Sequence, residues 1–221
     1  MYSLLTTEQI RMLEKRVTDE QGIAPKRLML DAGTAVADYI MNGAYQMPVA
    51  VVCGPGNNGG DGIAVARLLH LAGYKVDLVF VGDPEKRSEE TRKQQEIAES
   101  YGLYCHGLTE FIGKGIGYET GATAVVDALF GIGGLRAPAG EYLEAIRFIN
   151  GRKAGGAKIL SIDIPSGVNA DTGETPGEAV SADVTITFAY KKTGLTRHPG
   201  SDLAGKIVVK DIGIYASDKS P

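Results

Sequence analysis

The chain has 221 residues, 43% of them hydrophobic and 23% charged, with a formal net charge of −4. It is long enough for one full core, and without a concentrated Lys/Arg stripe it lacks what displaces counterions from a nucleic acid. Cys53 and Cys105 stand in no metal-like spacing, the N-terminus lacks a signal-type apolar region, and no apolar run reaches bilayer length. These features argue against a disulfide framework, a zinc site and a membrane span, and the expected location is cytoplasmic.

Thr6-Thr-Glu-Gln9 opens a helix with Ile10, Leu13 and Val17 on one face, and Pro25 opens a second whose apolar residues run from Leu28 to Ile40. Two helices ahead of the first strand have no place in a minimal alternating sheet. They are expected to pack on the sheet or on another subunit, and the apolar second helix points to a homodimer. Asp31 on that helix reads as a surface residue, with support of the following glycine turn as the alternative.

Val49 to Cys53 is a β-branched apolar run, the mark of a strand covered on both faces. Gly54, Gly56, Gly59 and Gly60 follow, and a helical stretch runs from Gly62, behind Asp61, to Ala72. A strand, a tight turn and a helix start offer outward-pointing backbone N–H groups to an anion; an ordinary βα turn also uses glycine. The turn contains G-x-G-x-x-G, with Asp77 downstream as a ribose ligand of the Rossmann kind. Asp77, however, sits inside the next apolar run, and Asn57, Asn58 and Asp61 crowd the turn with side chains that a plain pyrophosphate cradle does not need.

Residues 75–81 read as a strand, 88–101 as a polar-faced helix, 103–106 as a short strand and 107–121 mostly as loop. Residues 123–130 form a strand with Asp127 in its apolar run, followed by Gly131-Ile-Gly-Gly-Leu-Arg136. A helix over 140–149 carries Tyr142 toward the core. The strand over 157–163 also ends in an acid, Asp163, ahead of a polar turn with Ser166. Strands over 183–189 and 206–212 have the alternation of sheet margins, and 191–200 reads as a basic loop. Alternating strands and helices imply a three-layer α/β fold with a mostly parallel, Rossmann-like sheet and an N-terminal helical extension. One domain over 1–221 is expected, with helices in 1–47 and the α/β core in 48–215. A buried carboxylate needs a partner or a cation, and ligand sites of such sheets lie at the strands' carboxyl ends. Three polar clusters therefore converge on one edge: Asn57/Asn58/Asp61, Asp127 with the 131–136 loop, and Asp163 with Ser166.

The segments Gly54-Pro-Gly-Asn-Asn-Gly-Gly-Asp-Gly62, Val126-Asp-Ala-Leu-Phe-Gly-Ile-Gly-Gly-Leu-Arg136, Asp163-Ile-Pro-Ser-Gly-Val-Asn-Ala-Asp-Thr-Gly173 and Lys192-Thr-Gly194, with Pro199-Gly200, carry a resemblance. In this order along nearly the whole chain, they resemble the YjeF N-terminal domain family, the NAD(P)H-hydrate epimerases. Departures from the pattern fall at Asp31, Gly134-Leu135 and Asn169. The resemblance implies an epimerase that interconverts the R and S forms of hydrated NADH or NADPH, working with an S-specific dehydratase that is in some cases fused in one chain. It further implies a potassium ion held by Asn58, Asp127 and Ser166. The substrate site would be lined by Asn57, Asn58, Gly59, Gly60, Asp61, Gly131, Ile132, Gly133, Gly134, Leu135, Arg136, Ala137 and Asp163. Asp163 is the expected acid/base, since Asp127 would be engaged by the cation, and the glycine turns with Arg136 would hold the diphosphate. A non-catalytic dinucleotide- or partner-binding module of the same fold is the alternative; a dehydrogenase would need a substrate domain and donor that the chain does not display.

Overall fold

The computed structural model describes residues 4–43, 45, 47–113, 123–133 and 136–215. Among the described residues seven strands form one sheet in which every pairing is parallel. They are β2 (Val49–Cys53), β3 (Val76–Phe80), β4 (Cys105–Gly107), β5 (Ala124–Ala128), β6 (Lys158–Ile162), β7 (Val184–Phe188) and β9 (Lys206–Lys210), in the order β4-β3-β2-β5-β6-β7-β9. The order runs outward from β2 to β4 on one side and from β5 to β9 on the other. The β2/β5 boundary is therefore the topological switch point, where crossovers diverge to opposite faces and leave a crevice.

Alternation along β2 shows why the sheet needs two covering layers. Val49, Val51 and Cys53 enter one core with residues of helices α1 (Thr7–Gln21), α2 (Pro25–Asn42), α3 (Asn57–Leu71) and α4 (Glu89–Ser100). Ala50 and Val52 enter the other, with Leu108 and Phe111 of α5 (Leu108–Gly113) and Ala145, Ile146, Phe148 and Ile149 of α6 (Glu141–Ala154). The expected three-layer α/β fold is what forms, with both faces of the sheet covered.

The helices start where their end groups are satisfied. Thr6 and Gln9 make a reciprocal capping box at α1, Gly22 closes it in the left-handed region at φ 69°, and Pro25 occupies the first turn of α2. The apolar stripe of α2 (Met29, Ala32, Gly33, Val36, Ala37, Ile40) is buried within this chain, so this face takes the first of the two expected placements, packing on the sheet layer. Asp31 pairs with Arg27 across one helical turn at 2.8 Å, which bears out its surface reading.

Four elements differ from expectation. Helix α3 begins at Asn57, ahead of the expected Gly62; Gly59 and Gly60 lie in its first turn because neither position has room for a side chain. A Cβ on Gly59 would collide with the Gly54 carbonyl, and one on Gly60 would lie 2.6 Å from the Met29 methyl. Within 107–121, residues 108–113 are helical because Leu108 and Phe111 plug the core; residues 114–121 lie outside those described. Strand β7 is buried along its whole length, so it is interior rather than marginal, and β9 takes the edge. The expected 191–200 loop contains β8 (Lys191–Lys192), which pairs in parallel with β1 (Leu4–Leu5) and ties the N-terminus to the loop after β7.

Candidate active site

A cavity of about 690 Å³ opens at the switch point. Its lining includes Asn57, Asn58 and Asp61 from the start of α3, Gly131, Ile132 and Gly133 after β5, and Asp163 after β6. It also includes Arg11 and Glu14 of α1 and Lys192 of β8, none of which sequence reasoning placed here. Asn57, Asn58, Asp61, the 131–133 segment and Asp163 thus meet at one cavity, whereas Asp127 and Ser166 are not on its lining. Gly59 and Gly60 are not on the lining: their amides donate to the Gly56 carbonyl at 2.9 and 3.3 Å, so they close the turn rather than face a ligand. Arg136 and Ala137 are exposed and off the lining, while Gly134 and Leu135 lie outside the described residues.

Two carboxylates stand behind or on the cavity wall in different states. Asp127, fully buried, lies opposite Ser161 in the β5/β6 register. Its Oδ2 accepts from Ser161 Oγ at 2.8 Å and from Ser166 N at 2.9 Å. Its Oδ1 accepts from Ser166 Oγ at 2.5 Å and from Leu129 N at 3.3 Å. Burial raises its pKa, opposed by these hydrogen bonds, those of Ser166 foremost.

Asp163 sits one residue past β6 with φ 67°, a left-handed conformation uncommon for a residue with a side chain. Its amide donates to Ile186 O at 2.8 Å, fixing the turn. Oδ1 takes both the Lys192 ammonium, in a short ion pair, and Thr187 Oγ1 at 3.2 Å. Around this pair stand two more acids. Burial pushes the Asp61 carboxyl well above the ordinary range, with Asp163 and then Glu14 adding repulsion and Lys192 opposing it. Burial likewise raises Glu14, with Asp163 next. The site therefore pairs a cation-held carboxylate with acids disposed to keep a proton, the arrangement from which proton donor and acceptor are drawn.

Asn58 Nδ2 donates to Phe130 O at 2.9 Å, and its Oδ1 is buried without a hydrogen-bond partner. Phe130 O lies 3.4 Å from Ser166 Oγ, which also accepts from Phe130 N at 2.9 Å. An orphaned amide oxygen, a carbonyl and a hydroxyl beside a buried carboxylate are hard oxygen donors, and they fit a hard cation rather than a softer metal.

The remaining readings resolve on position. Asp77 pairs in register with Ala50, well back from the carboxyl edge at Cys53 and Phe80, so it does not reach the crevice. Burial pushes the Cys53 thiol well up, as for an inert core residue. Tyr142 stacks on Phe130 at 5.0 Å between ring centroids and is not on the cavity lining.

Fold and cavity together define a doubly wound α/β protein whose described strands are all parallel in the main sheet, with a crevice at the switch point. The family model described as YjeF-related protein N-terminus matches residues 25–194, and the chain belongs to that family. A Limosilactobacillus reuteri (strain ATCC 55730 / SD2112) protein named NAD(P)H-hydrate epimerase is 43% identical over 97% of this chain and 98% of its own length. One of the same name from Levilactobacillus brevis is 41% identical over 99% and 98%. A Thermofilum pendens protein named Bifunctional NAD(P)H-hydrate repair enzyme Nnr is 37% identical over 92% of this chain and 39% of its own length. The crystal structure of yeast ynu0 superposes with a TM-score of 0.77 at 19% identity, covering 99% of this chain and 97% of that one, which shows the shared fold.

Proposed function

We propose that this chain is an NAD(P)H-hydrate epimerase, an isomerase that interconverts the R and S forms of hydrated NADH or NADPH. The observation that carries the reading is near-full-length identity of 41–43% to proteins of that name, joined to a switch-point cavity furnished with Asp163, Asp61 and Glu14. The hydrate bears a hydroxyl on C6, next to the ring nitrogen. A proton delivered to that hydroxyl lets it leave as water while the nitrogen lone pair forms a C=N⁺ bond. Water then adds to the other face of C6 and surrenders a proton, so the balance is isomerisation with no redox partner.

Asp163 accepts and returns the proton, and Asp61, raised by burial, stands in the same cavity as a donor. Asn57, Asn58 and the 131–133 backbone line the side on which the rest of the dinucleotide would lie. Arg136, exposed beside the loop, is assigned only a peripheral contribution to the diphosphate. A potassium ion would be held by Asn58, Ser166 and the Phe130 carbonyl, with Asp127 supplying the negative charge through Ser166. The orphaned Asn58 Oδ1 supports that assignment. The ion would supply positive charge to the site.

The Thermofilum relative's name supports a link to a dehydratase that consumes the S form, as a separate partner or a fused domain. The reading retains a homodimer, with Met12 and Met41 as the apolar residues that α1 and α2 leave exposed; light scattering checks it. Among the described residues no helix is long and apolar enough to cross a membrane.

The test is a coupled assay on an R/S mixture of hydrated NADH with excess S-specific dehydratase, in potassium and in sodium buffer. The slow phase, in which R turns spontaneously into S, should accelerate in proportion to added protein, more in potassium. An unchanged slow phase, with the dinucleotide still bound, would replace the enzyme by a binding module.

A further inference from the structure

Lys192 is 2% exposed, a rare state for an ammonium group and one that holds only with every proton paired. Its three N–H donors have three acceptors: Thr187 Oγ1 at 2.9 Å, Phe188 O at 3.2 Å and Asp163 Oδ1. Thr187 Oγ1 in turn donates to the same Oδ1. Both contacts therefore fall on one carboxylate oxygen, and Asp163 Oδ2 makes no hydrogen bond among the described residues. The backbone beneath Lys192 is fastened as well. Lys192 pairs with Leu5 in the small parallel sheet, Thr193 Oγ1 donates to Leu5 O at 3.2 Å, and Gly194 N donates to Ala170 O at 2.7 Å.

We propose that Lys192 is a positioning residue of the epimerisation: with Thr187 it clamps Asp163 through Oδ1 and so dedicates Oδ2 to the proton transfer at C6. The clamp rests on the epimerase reading and deepens it, because it gives the 192–194 segment, and the N-terminal strand paired with it, a role in turnover rather than in binding. A buried ammonium also orients the carboxylate without the reorganisation that water would impose. The group acts through Asp163 and has no need to touch the substrate. It is the one lysine on the described cavity lining that is buried, since Lys15 is exposed.

The test measures kcat and KM in the coupled assay for the wild type, Lys192→Met, Lys192→Arg and Thr187→Val. Wild-type turnover decides the epimerase reading itself; the variants are compared with it and decide only the clamp. Lys192→Met should lower kcat about 100-fold, the scale of one lost preorganised donor, with KM held within about threefold. Lys192→Arg, which keeps the charge, should recover at least about tenfold of that loss. Where Lys192→Met does not fold, Thr187→Val decides, because it keeps both charges and removes only the hydroxyl that accepts from Lys192 and donates to Asp163 Oδ1. Of the two hydrogen bonds lost, the one to Asp163 orients the carboxylate, so kcat should fall about fivefold, the worth of one ordinary hydrogen bond, at unchanged KM. The proposal is overturned if Lys192→Met turns over within about threefold of wild type, if either loss falls on KM alone, or if Thr187→Val leaves kcat unchanged.

Discussion

Asp127 and Asp163 belong to neighbouring strands of one parallel sheet, and the chain treats them in opposite ways. Asp127 is the fourth residue of β5, so its side chain remains within the strand layer. There four neutral donors saturate both oxygens. Asp163 lies one residue beyond β6, where the chain has turned into the left-handed region, and its carboxylate emerges on the cavity wall with one oxygen clamped by a buried cation. The same side chain is sealed in the sheet when the ladder continues past it and faces the cavity when the ladder has just ended. A displacement of about two residues along the strand axis moves a carboxylate about 6–7 Å, from the sheet interior to its rim.

That contrast can be broken from either side. The largest effect belongs to Asp163→Asn, which should lower kcat by about 10²–10⁴-fold, the range of a lost general acid–base group. The change also leaves the Lys192 ammonium buried without its counter-charge, so stability should fall too. Asp163→Asn/Lys192→Met, which removes both charges, should regain stability in urea unfolding without regaining turnover. Turnover within a few-fold of wild type in the single variant would assign the proton transfer to another acid.

The effect of Asp127→Asn should fall first on stability. The amide presents N–H protons to Ser161, Ser166 or Leu129, whose donors now have a carboxylate. Stranding buried donors in this way should cost about 3 kcal/mol of stability, and protection of the β5–β6 amides from hydrogen exchange should drop with it. Equal stability of the variant would show that the network is not what holds this edge.

Asp61 sharpens the comparison by pH. Burial, then Asp163 and Glu14, hold its carboxyl well above the usual range, so the folded chain releases this proton at higher pH than the unfolded chain, which does so at about pH 4. The folded state thus binds more protons between those two pKa values, and stability falls as pH rises through that window. Asp61→Asn removes this slope: its Tm relative to wild type should rise as pH increases from the ordinary carboxyl range, about 4, upward. A parallel pair of Tm curves would mean that Asp61 ionises normally.

The smallest effect concerns the strap that brings α1 to the cavity. Thr7 N and Oγ1 both donate to Asp171, each at 2.7 Å, and Arg11 donates to Ile132 O at 3.0 Å. Asp171→Ala should cost about 1 kcal/mol and raise exchange in α1 alone, leaving the β5–β6 amides as protected as before. Faster exchange across both regions would mean that the two halves of the edge unfold as one unit.

Local chemistry carried much of the architecture. Val49 to Cys53 must be a doubly covered strand because all five residues suit a buried pleat, Thr6 and Gln9 must start a helix because they cap it, and acids after apolar strands must meet at one edge of a parallel sheet. Those signals are short-range, and the side-chain period writes them into the chain itself. The first turn of α3 was hidden because glycine discourages a helix in isolation; only the approach of the Gly54 carbonyl and Met29 makes it the sole residue that fits.

Asn57, Asn58, Asp61, Asp127, Asp163 and Ser166 were likewise visible as polar residues at strand ends. Which of them faces a cavity and which is sealed behind it was decided by register and by where each strand stops. Glu14 and Lys192 stand 178 positions apart, and no periodicity links them. Their meeting with Asp163 depends on β1 pairing with β8 and on α1 docking against the 131–133 loop. The sequence by itself determined the layers, the parallel sheet and the edge that holds the site. Tertiary structure alone decided the ionic environment of that site, because burial and through-space charge depend on distances that chain order does not encode.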